Sequence, residues 1–320
     1  MTIQPEKSLL LCVFGVGGVG GYFGGRLAWW LASQTSPAWQ VHFVARGAHL
    51  AAIESSGLIL NTPEARLVCT PTSASEAMQD MPAPDVVLVC VKSYDLDEAL
   101  RQVAGHCHPD TVVIPLLNGV DIHARIRAHI PKARVLPACV FVGTHLDRPG
   151  EVSQRGGDGV ILVGSDADHP GFVPEDFLAL LADARVQYRW CDDARPAVWE
   201  KFVFIAAFGL VTAASRKGLG EVLGDARLLA DVLGIMDEVV ALAEREGVAL
   251  DPQVISNAMA RASGFPFETR TSFQRDVEAG GPNEGDLFGG TILRLGERLG
   301  VPTPTTDRVY ARVLRANGDA

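Results

Sequence analysis

A glycine-rich loop near the N-terminus constrains the fold more than any other feature of this sequence. Six residues match the pattern GxGxxG: Gly15, Val16, Gly17, Gly18, Val19 and Gly20. The loop directly follows an apolar run and directly precedes a helical stretch, which is the context that gives the motif meaning. There Gly15 permits a tight turn, Gly17 lets the backbone approach a pyrophosphate, and Gly20 allows close packing of helix on strand. The helix N-terminus would offer N–H groups to phosphates. We therefore predict a dinucleotide-binding loop; the alternative is a tight turn without a ligand.

Short apolar strands alternate with helical stretches through the first half of the chain. Strands are predicted at 9–15, 41–45, 85–91 and 111–116, and helices at 19–33, 48–55 and 96–104. This alternation favours an α/β fold with a doubly wound parallel sheet of the Rossmann type. Two further strands, at 135–142 and 159–164, lie among Gly-rich and Pro-rich turns and indicate a more antiparallel edge.

The alternation stops near Cys191, and the rest of the chain has helical spacing of apolar residues, clearest from Leu229 to Ala243. A length of 320 residues is enough for two domains. We predict an NADP-binding Rossmann-like domain over residues 1–191. Residues 192–320 then form an all-helical domain for substrate binding and catalysis.

The composition indicates which kinds of binding partner are unfavourable and in which cellular compartment the protein is expected. The net charge of −10 argues against a protein that coats nucleic acid or an anionic membrane. The longest apolar stretch, Phe202 to Ala214, is too short to span a bilayer and favours a buried helix. Residues 1–7 are polar, and the apolar run after them is too short for a secretory signal. We expect a cytoplasmic protein.

The cysteine and histidine pattern does not favour a metal site. The six cysteines form no CxxC pair, and several lie in strand-like runs where cysteine is a small core residue. His106, Cys107 and His108 are adjacent, and adjacent side chains point apart, so a surface loop is favoured over a metal site.

The end of the second predicted strand discriminates between the two nicotinamide cofactors. NAD-specific sites place Asp or Glu there to bind the ribose 2′-hydroxyl. This chain has no acid there and instead has Arg46, whose planar cation suits a 2′-phosphate. The sequence favours NADPH over NADH; the alternative for Arg46 is a solvated loop residue.

Two polar residues follow later strands of the predicted sheet. Lys92 follows DVVLVCV, and Asn118 follows TVVIPLL. Ligands of open parallel sheets bind outside the carboxyl ends of the strands, so both residues are placed to face cofactor or substrate. Alternatively, Lys92 is a surface lysine at a helix start and Asn118 with Gly119 forms a simple turn.

Six segments in order carry a family resemblance. They are GVGGVGGYFGGRLA, VARGAHLAAIESSGL, CVKSYDLDEAL, LLNGV, AVWEKFVFIAAFGLVTA and SFQRDVEAGGPNEGDLFGG. Together they resemble the ketopantoate reductase (2-dehydropantoate 2-reductase) family. The resemblance implies an NADPH-dependent reductase of a 2-keto acid, acting in pantothenate biosynthesis, with its active site in a cleft between a Rossmann domain and a helical domain. It also implies a homodimer.

The resemblance also assigns roles to individual residues. Lys201 matches the catalytic lysine, Asn118 the asparagine that contacts substrate and cofactor, and Lys92 a lysine of the active-site cleft. Ser272 and Glu284 match residues that hold the substrate, while the role of the motif acid Asp276 stays open.

The chemistry of the reaction agrees with these roles. Hydride transfer to a ketone leaves negative charge on oxygen, and a lysine can stabilise that charge and donate a proton to it. Glu284 could orient Lys201 or accept a hydrogen bond from a substrate hydroxyl. Without the resemblance, Lys201 reads as a lysine whose stem covers apolar surface, Ser272 as a capping residue and Glu284 as a solvated loop acid.

One departure from the family leaves the substrate open. Members that reduce ketopantoate carry two asparagines on the lysine helix, where this chain has Ile205 and Gly209. Spacings of four and eight place both near the face of Lys201. Loss of these amides favours a more apolar substrate or another binding mode.

Three hypotheses follow from the sequence. The first is reduction of a 2-keto acid by NADPH with Lys201 as proton donor, ketopantoate being the leading substrate. The second is reduction of another branched or aryl 2-keto acid on the same scaffold. The third is a sensor that binds NADP(H) without turnover, which would have no need of the Lys201 and Glu284 pair.

Overall fold

A six-stranded parallel sheet forms the centre of the first structural unit. The computed structural model describes residues 8–317, and the predicted polar start at residues 1–7 lies outside them. Two units are present, one comprising the chain up to 117 with 122–194, the other 118–121 with the chain from 195 onward. The segment 118–121, which includes Asn118, therefore belongs to the second unit although it follows a strand of the first.

The strands and helices of the first unit alternate along the chain. The strands are β1 (Leu9–Phe14), β2 (Trp39–Val44), β3 (Leu58–Asn61), β4 (Arg66–Cys69), β5 (Ser73–Ser75), β6 (Val86–Val89), β7 (Val112–Pro115), β8 (Arg134–Val135), β9 (Ala138–Arg148), β10 (Glu151–Gly164) and β11 (Gln187–Cys191). The helices are α1 (Gly18–Ala32), α2 (Gly47–Ser56), α3 (Leu96–His106), α4 (Ile122–His129) and α5 (Glu175–Asp183), with short 3₁₀ turns at Met78–Asp80 and Ser93–Asp95.

The order of strands confirms the predicted doubly wound fold. The first sheet runs β5-β2-β1-β6-β7-β8, and every pairing in it is parallel. Counted along the chain within this sheet, the order is 3-2-1-4-5-6, the arrangement of dinucleotide-binding folds. The order reverses between β1 and β6, so the loops after these two strands flank the switch point where such folds bind ligands.

A second sheet was not predicted from the sequence. Its order is β11-β10-β3-β4, and β9 pairs antiparallel with β10 in a long hairpin. The strands predicted at 135–142 and 159–164 therefore exist within β9 and β10, and their antiparallel pairing is as expected, but they belong to this second sheet, while Val135 lies in β8 at the edge of the first. β9 pairs with β10, and β10 in turn pairs in parallel with β3 and β11.

The core of the first unit lies between these sheets and the helices around them. Alternate residues of β1 and β2, such as Leu11, Val13 and Phe43, are buried with Phe23 and Leu27 of α1. Burial on both faces explains why these strands read as continuous apolar runs.

The second unit is helical. Its helices are α6 (Arg195–Ser215), α7 (Leu219–Gly224), α8 (Ala226–Arg245), α9 (Val254–Ser263), α10 (Ser272–Glu278), α11 (Thr291–Leu299) and α12 (Pro304–Asn317), and a π-helical turn spans Asp286–Gly290. Two buried carboxylates join α12 to α8. Glu238 accepts hydrogen bonds from the backbone N–H groups of Thr305 and Thr306, and Asp231 pairs with Arg308 and Arg312.

Helix α6 is the central helix of this unit and contains the longest apolar stretch of the sequence. It is 21 residues long with a mean hydropathy of 1.6, and by length and composition alone it could cross a membrane. However, 61% of its most apolar window is buried within the protein, and it packs on α8, α9, α10 and α12. This burial is what the sequence predicted for residues 202–214.

The six cysteines are free thiols. Cys12, Cys69 and Cys139 are buried in strands, as expected for small core residues. Burial raises the pKa of the Cys69 and Cys107 thiols to about 12, so both are neutral at physiological pH.

Candidate active site

The glycine loop lies at the carboxyl end of β1, beside the switch point. Gly15 has a φ of +91°, and a Cβ there would lie 2.9 Å from Val91 Cγ1. A Cβ at Gly20 would lie 2.0 Å from the Gly15 carbonyl oxygen, so only glycine lets α1 approach this turn. By contrast, no heavy atom of the described residues outside its immediate chain neighbours lies within 4 Å of where a Gly17 Cβ would be. The surface at Gly17, where α1 begins, is therefore open to a ligand.

Arg46 lies just after the carboxyl end of β2 and is the N-cap residue of helix α2. Its side chain is 64% exposed, and Nη2 donates to Asp95 Oδ2 at 3.0 Å. Asp95 lies in the 3₁₀ turn after β6, and sequence reasoning did not identify it. The signal was available, because the carboxyl ends of β2 and β6 lie at the same edge of one sheet and an acid there can reach the arginine. Exposed ion pairs of this kind are weak, so a bound phosphate can compete with Asp95 for Arg46.

Lys92 follows β6 and precedes the 3₁₀ turn Ser93–Asp95. Its side chain is half-buried, and its carbonyl oxygen accepts a hydrogen bond from the Asp95 N–H at 3.0 Å. Lys92 is thus held at the switch point by backbone bonds. Its contact with cofactor or substrate stays a prediction.

Lys201 and Asn118 are joined directly by a hydrogen bond. Lys201 lies on α6, and its Nζ donates to Asn118 Oδ1 at 2.7 Å, with both side chains half-buried. Asp121, three residues after Asn118, accepts a hydrogen bond from Thr291 Oγ1 at 3.4 Å. The segment 118–121 is therefore held on the helical unit at two points. The structure thus brings these two predicted site residues into direct contact.

Ser272 begins helix α10, whose start is tied to α6. The Thr271 hydroxyl caps α10 by accepting from the Gln274 N–H at 3.1 Å, and it lies 3.0 Å from the Thr212 hydroxyl of α6. Ser272 itself is exposed, and the next residue, Phe273, packs against Gly209 of α6. Ser272 is therefore not the capping residue of this helix; Thr271 fills that role.

Glu284 is only 5% exposed, although it lies in a loop between helices. The π-helical turn Asp286–Gly290 follows it, and the Phe288 N–H donates to the Glu284 carbonyl at 3.2 Å. Turns of π geometry occur often at functional sites. The alternative reading of Glu284 as a solvated loop acid is wrong, because the residue is buried. The predicted interaction of Glu284 with Lys201 stays a prediction.

Three phenylalanines that sequence reasoning missed connect these segments. The Phe288 ring stacks on Phe202 with a centroid distance of 6.2 Å and packs against Phe273 at 5.2 Å. Phe202 directly follows Lys201, Phe273 directly follows Ser272, and Phe288 follows Glu284 by one helical turn. The three buried rings therefore fix the spacing of the segments that carry the predicted site residues.

Ile205 and Gly209 lie one and two turns beyond Lys201 on α6. Ile205 is half-buried and Gly209 is buried. Among residues 8–317 and outside the helix's own backbone, a Cβ at Gly209 would have only Phe273 within 4 Å, at 3.6 Å, so the aromatic ring covers this position of the helix. This stretch of α6 therefore carries an apolar side chain and a glycine at the two positions where the family resemblance implied asparagines.

Comparison with known proteins decides the family. The profile described as "Ketopantoate reductase PanE/ApbA" matches residues 11–168, and the profile described as "Ketopantoate reductase PanE/ApbA C terminal" matches residues 193–316. This chain belongs to the ketopantoate reductase family. It is an oxidoreductase that acts on CH–OH groups.

Curated relatives and solved structures agree along nearly the whole chain. An uncharacterized oxidoreductase of Bacillus subtilis is 26% identical over 94% of this chain and 96% of its own length. The 2-dehydropantoate 2-reductase of Mesorhizobium japonicum is 28% identical over 95% of this chain and 97% of its own. The crystal structure of a PanE/ApbA family ketopantoate reductase from Ralstonia eutropha superimposes with a TM-score of 0.87 at 28% identity, covering 97% of this chain and 99% of that one.

Two more distant structures share the fold. A D-mandelate dehydrogenase solved with NADH and anilino(oxo)acetate has a TM-score of 0.84 at 19% identity, covering 97% of this chain and 99% of that one. A dimeric ketopantoate reductase from Staphylococcus aureus has a TM-score of 0.79 at 20% identity, covering 97% and 99%. The scaffold thus occurs in a protein that binds a nicotinamide cofactor.

Proposed function

We propose that this protein reduces a 2-keto acid to the 2-hydroxy acid with NADPH, and that Lys201 donates the proton. The observation that carries the proposal is the 2.7 Å bond from Lys201 Nζ to Asn118 Oδ1. This bond holds the Lys201 ammonium group in place within the helical unit. The other unit has the strand order of a dinucleotide-binding fold. A protein that only senses NADP(H) has no need of a positioned proton donor.

The residues of the first unit fit a phosphorylated dinucleotide. The open surface at Gly17 and the uncapped start of α1 suit the pyrophosphate, whose negative charge interacts favourably with a helix N-terminus. Arg46 suits the 2′-phosphate of NADPH, because a guanidinium binds phosphate with paired N–H groups and β2 ends without the acid that NAD prefers. Lys92 would assist at the switch point.

The chain's own residues account for the rest of the chemistry. The reduced nicotinamide, when bound, supplies the hydride for the keto carbon. Lys201 stabilises the negative charge that develops on the keto oxygen and transfers a proton to it, which completes the hydroxyl group. Asn118 fixes the position of Nζ, and Ser272 and Glu284 hold the polar groups of the substrate. Water then restores the proton on Lys201.

Ketopantoate is the leading substrate, on the strength of the family. In that case the protein acts in pantothenate biosynthesis. A second candidate is a 2-keto acid with a more apolar, branched or aryl tail. Ile205 and the Phe273 ring over Gly209 favour this second candidate. A substrate hydroxyl that leaves water for an apolar surface loses its hydrogen bonds and gains none there.

A panel of 2-keto acids that includes ketopantoate tests the proposal, with NADPH oxidation followed by absorbance. We expect turnover with at least one acid, a preference for NADPH over NADH, and loss of turnover in Lys201→Met. Lys217→Met is the matched control, because Lys217 belongs to the same unit and pairs with Asp225 at 3.1 Å. Tight NADPH binding with no turnover on any acid would favour the sensor instead.

Two further properties are proposed with the function. We propose a cytoplasmic location, in keeping with six free thiols and the burial of α6. We also propose a homodimer, because the family includes a dimeric reductase. Light scattering of the purified protein tests the second proposal, and a molar mass near 34.1 kDa would contradict it.

A further inference from the structure

His49 makes two hydrogen bonds that determine its protonation. It lies in the first turn of α2 and is half-buried. Its Nδ1 accepts from the Gly150 backbone N–H at 2.8 Å, so Nδ1 bears no proton. The other ring nitrogen, Nε2, lies 2.7 Å from the Val16 carbonyl oxygen and must therefore be the donor to it. Burial lowers the pKa of His49, which keeps the ring in this neutral form at neutral pH.

The two partners of His49 are points where the glycine loop meets the second sheet. Val16 is the second residue of the loop and is 2% exposed. Gly150 forms the turn between β9 and β10 with a φ of +79°, and its carbonyl accepts from the Ile59 N–H at 2.8 Å. A Cβ at Gly150 would lie 2.7 Å from Ala52 Cβ, so the turn packs tightly on α2. His49 thus joins the loop to a rigid turn.

The same hairpin also packs against the start of α1. A Cβ at Gly18 would lie 2.7 Å from Thr144 Oγ1 of β9, and a Cβ at Gly21 would lie 2.7 Å from Val152 Cγ2 of β10. The hairpin therefore supports the loop and its helix by close packing. The His49 bond to Val16 adds a directional contact to this packing.

The direction matters because of peptide geometry. The Val16 carbonyl and the Gly17 N–H belong to one planar trans peptide, so they point in opposite directions. A carbonyl held toward His49 therefore turns the Gly17 N–H away from His49. Gly17 is also the loop residue with open space beside it.

We propose that His49 is a positioning residue for the cofactor, which acts by orienting the peptide between Val16 and Gly17 so that its N–H faces the pyrophosphate. This inference rests on the proposed function, since it assumes that the loop binds a nicotinamide dinucleotide. His49 does not touch the cofactor in this account. It lowers the cost of ordering the loop when the cofactor binds.

Direct binding of NADPH to the full-length protein, measured by fluorescence titration, tests the proposal. His49→Phe keeps a ring and removes both bonds, and we expect its Kd for NADPH to rise about tenfold, the upper value for the one net hydrogen bond that orients the Val16 peptide. The kcat at saturating NADPH and the KM for the keto acid should stay within about twofold of the native values, since His49 acts on the cofactor loop alone. The matched control is His123→Phe, which removes a comparable 2.8 Å bond to the Val135 carbonyl at another place in the same unit.

Two conservative variants separate positioning from a merely structural role. Gln places an amide N–H near the position of Nε2, so His49→Gln should restore most of the NADPH affinity. Asn places an acceptor near the position of Nδ1, so His49→Asn should not.

The remaining outcomes of these binding measurements would contradict the proposal or the function on which it rests. Rescue by His49→Asn but not His49→Gln would show that the role runs through the Gly150 turn, and native affinity in His49→Phe would also refute the proposal. An equal loss of affinity in His123→Phe would assign the effect to general stability. Failure of the native protein to bind NADPH would instead overturn the proposed function.

Discussion

The hydrogen bond between Lys201 and Asn118 gives the sharpest quantitative prediction. Asn118→Leu keeps nearly the same side-chain volume and removes the Oδ1 acceptor that lies 2.7 Å from Nζ. Both groups are half-buried, and a hydrogen bond to a charged group contributes about 1.5–3 kcal/mol. If the bond holds Lys201 in its catalytic position, kcat/KM for the keto acid should fall roughly 10- to 150-fold.

The decrease should appear mainly in kcat, because Lys201 acts on charge that develops in the transition state. Initial rates with saturating NADPH and varied keto acid measure it. Asn257→Leu is the control, since Asn257 is an exposed amide on α9 of the same unit. A kcat/KM within twofold of the native value in Asn118→Leu would refute the assigned role of Asn118.

Three further predictions concern the cofactor, the pH dependence of stability and the substrate. Asp95→Asn releases Arg46 from its exposed ion pair, so the KM for NADPH should fall about twofold while that for NADH stays constant; an increase for NADPH would contradict the 2′-phosphate assignment. Burial lowers the pKa of His42 below its ordinary 6.5, so the unfolded state binds a proton that the folded state does not. Urea titrations should therefore show the free energy of unfolding falling as pH drops from 7.5 to 5.5, less steeply in His42→Phe; an unchanged slope would reject the explanation. Ile205→Asn should raise kcat/KM for ketopantoate about tenfold relative to 4-methyl-2-oxopentanoate, the worth of roughly one hydrogen bond, and an unchanged ratio would place the substrate tail elsewhere.

The first sheet could be predicted from the sequence because its central strands are buried on both faces. The segments that form β1, β6 and β7 are uninterrupted apolar runs. An apolar run of this kind is typical of a strand buried on both faces, and the structure has strands there. The glycine loop was equally readable, because Gly15 and Gly20 are required by steric contacts within a few residues of the motif.

The second sheet could not be predicted, for a physical reason. Strands β3 and β4 of this sheet are only four residues long, and β4 has two exposed residues, one half-buried residue and a single buried one, Cys69. Such short segments become strands because a strand far away in the sequence supplies their hydrogen-bond partners. The local sequence does not predict which distant strand that is.

The sequence predicted which residues belong to the candidate site, but it did not predict which of them contact one another. Lys201 and Asn118 were identified as separate residues, and their contact depends on the segment 118–121 joining the helical unit. Asp95 beside Arg46 and the Phe288 ring between its two neighbours likewise result from tertiary packing. Sequence spacing predicts which residues share an element, but it does not predict which elements meet.

The rate of NADPH oxidation with a panel of 2-keto acids, measured side by side for the native protein, Lys201→Met and Lys217→Met, tests the central claim most directly. We expect turnover by the native protein and by Lys217→Met. In Lys201→Met we expect at least a thousandfold loss of kcat/KM, roughly 4 kcal/mol, because the charge on the keto oxygen loses both its stabiliser and its proton donor. Full activity in Lys201→Met, or no turnover of any keto acid by a native protein that binds NADPH, would contradict the central claim.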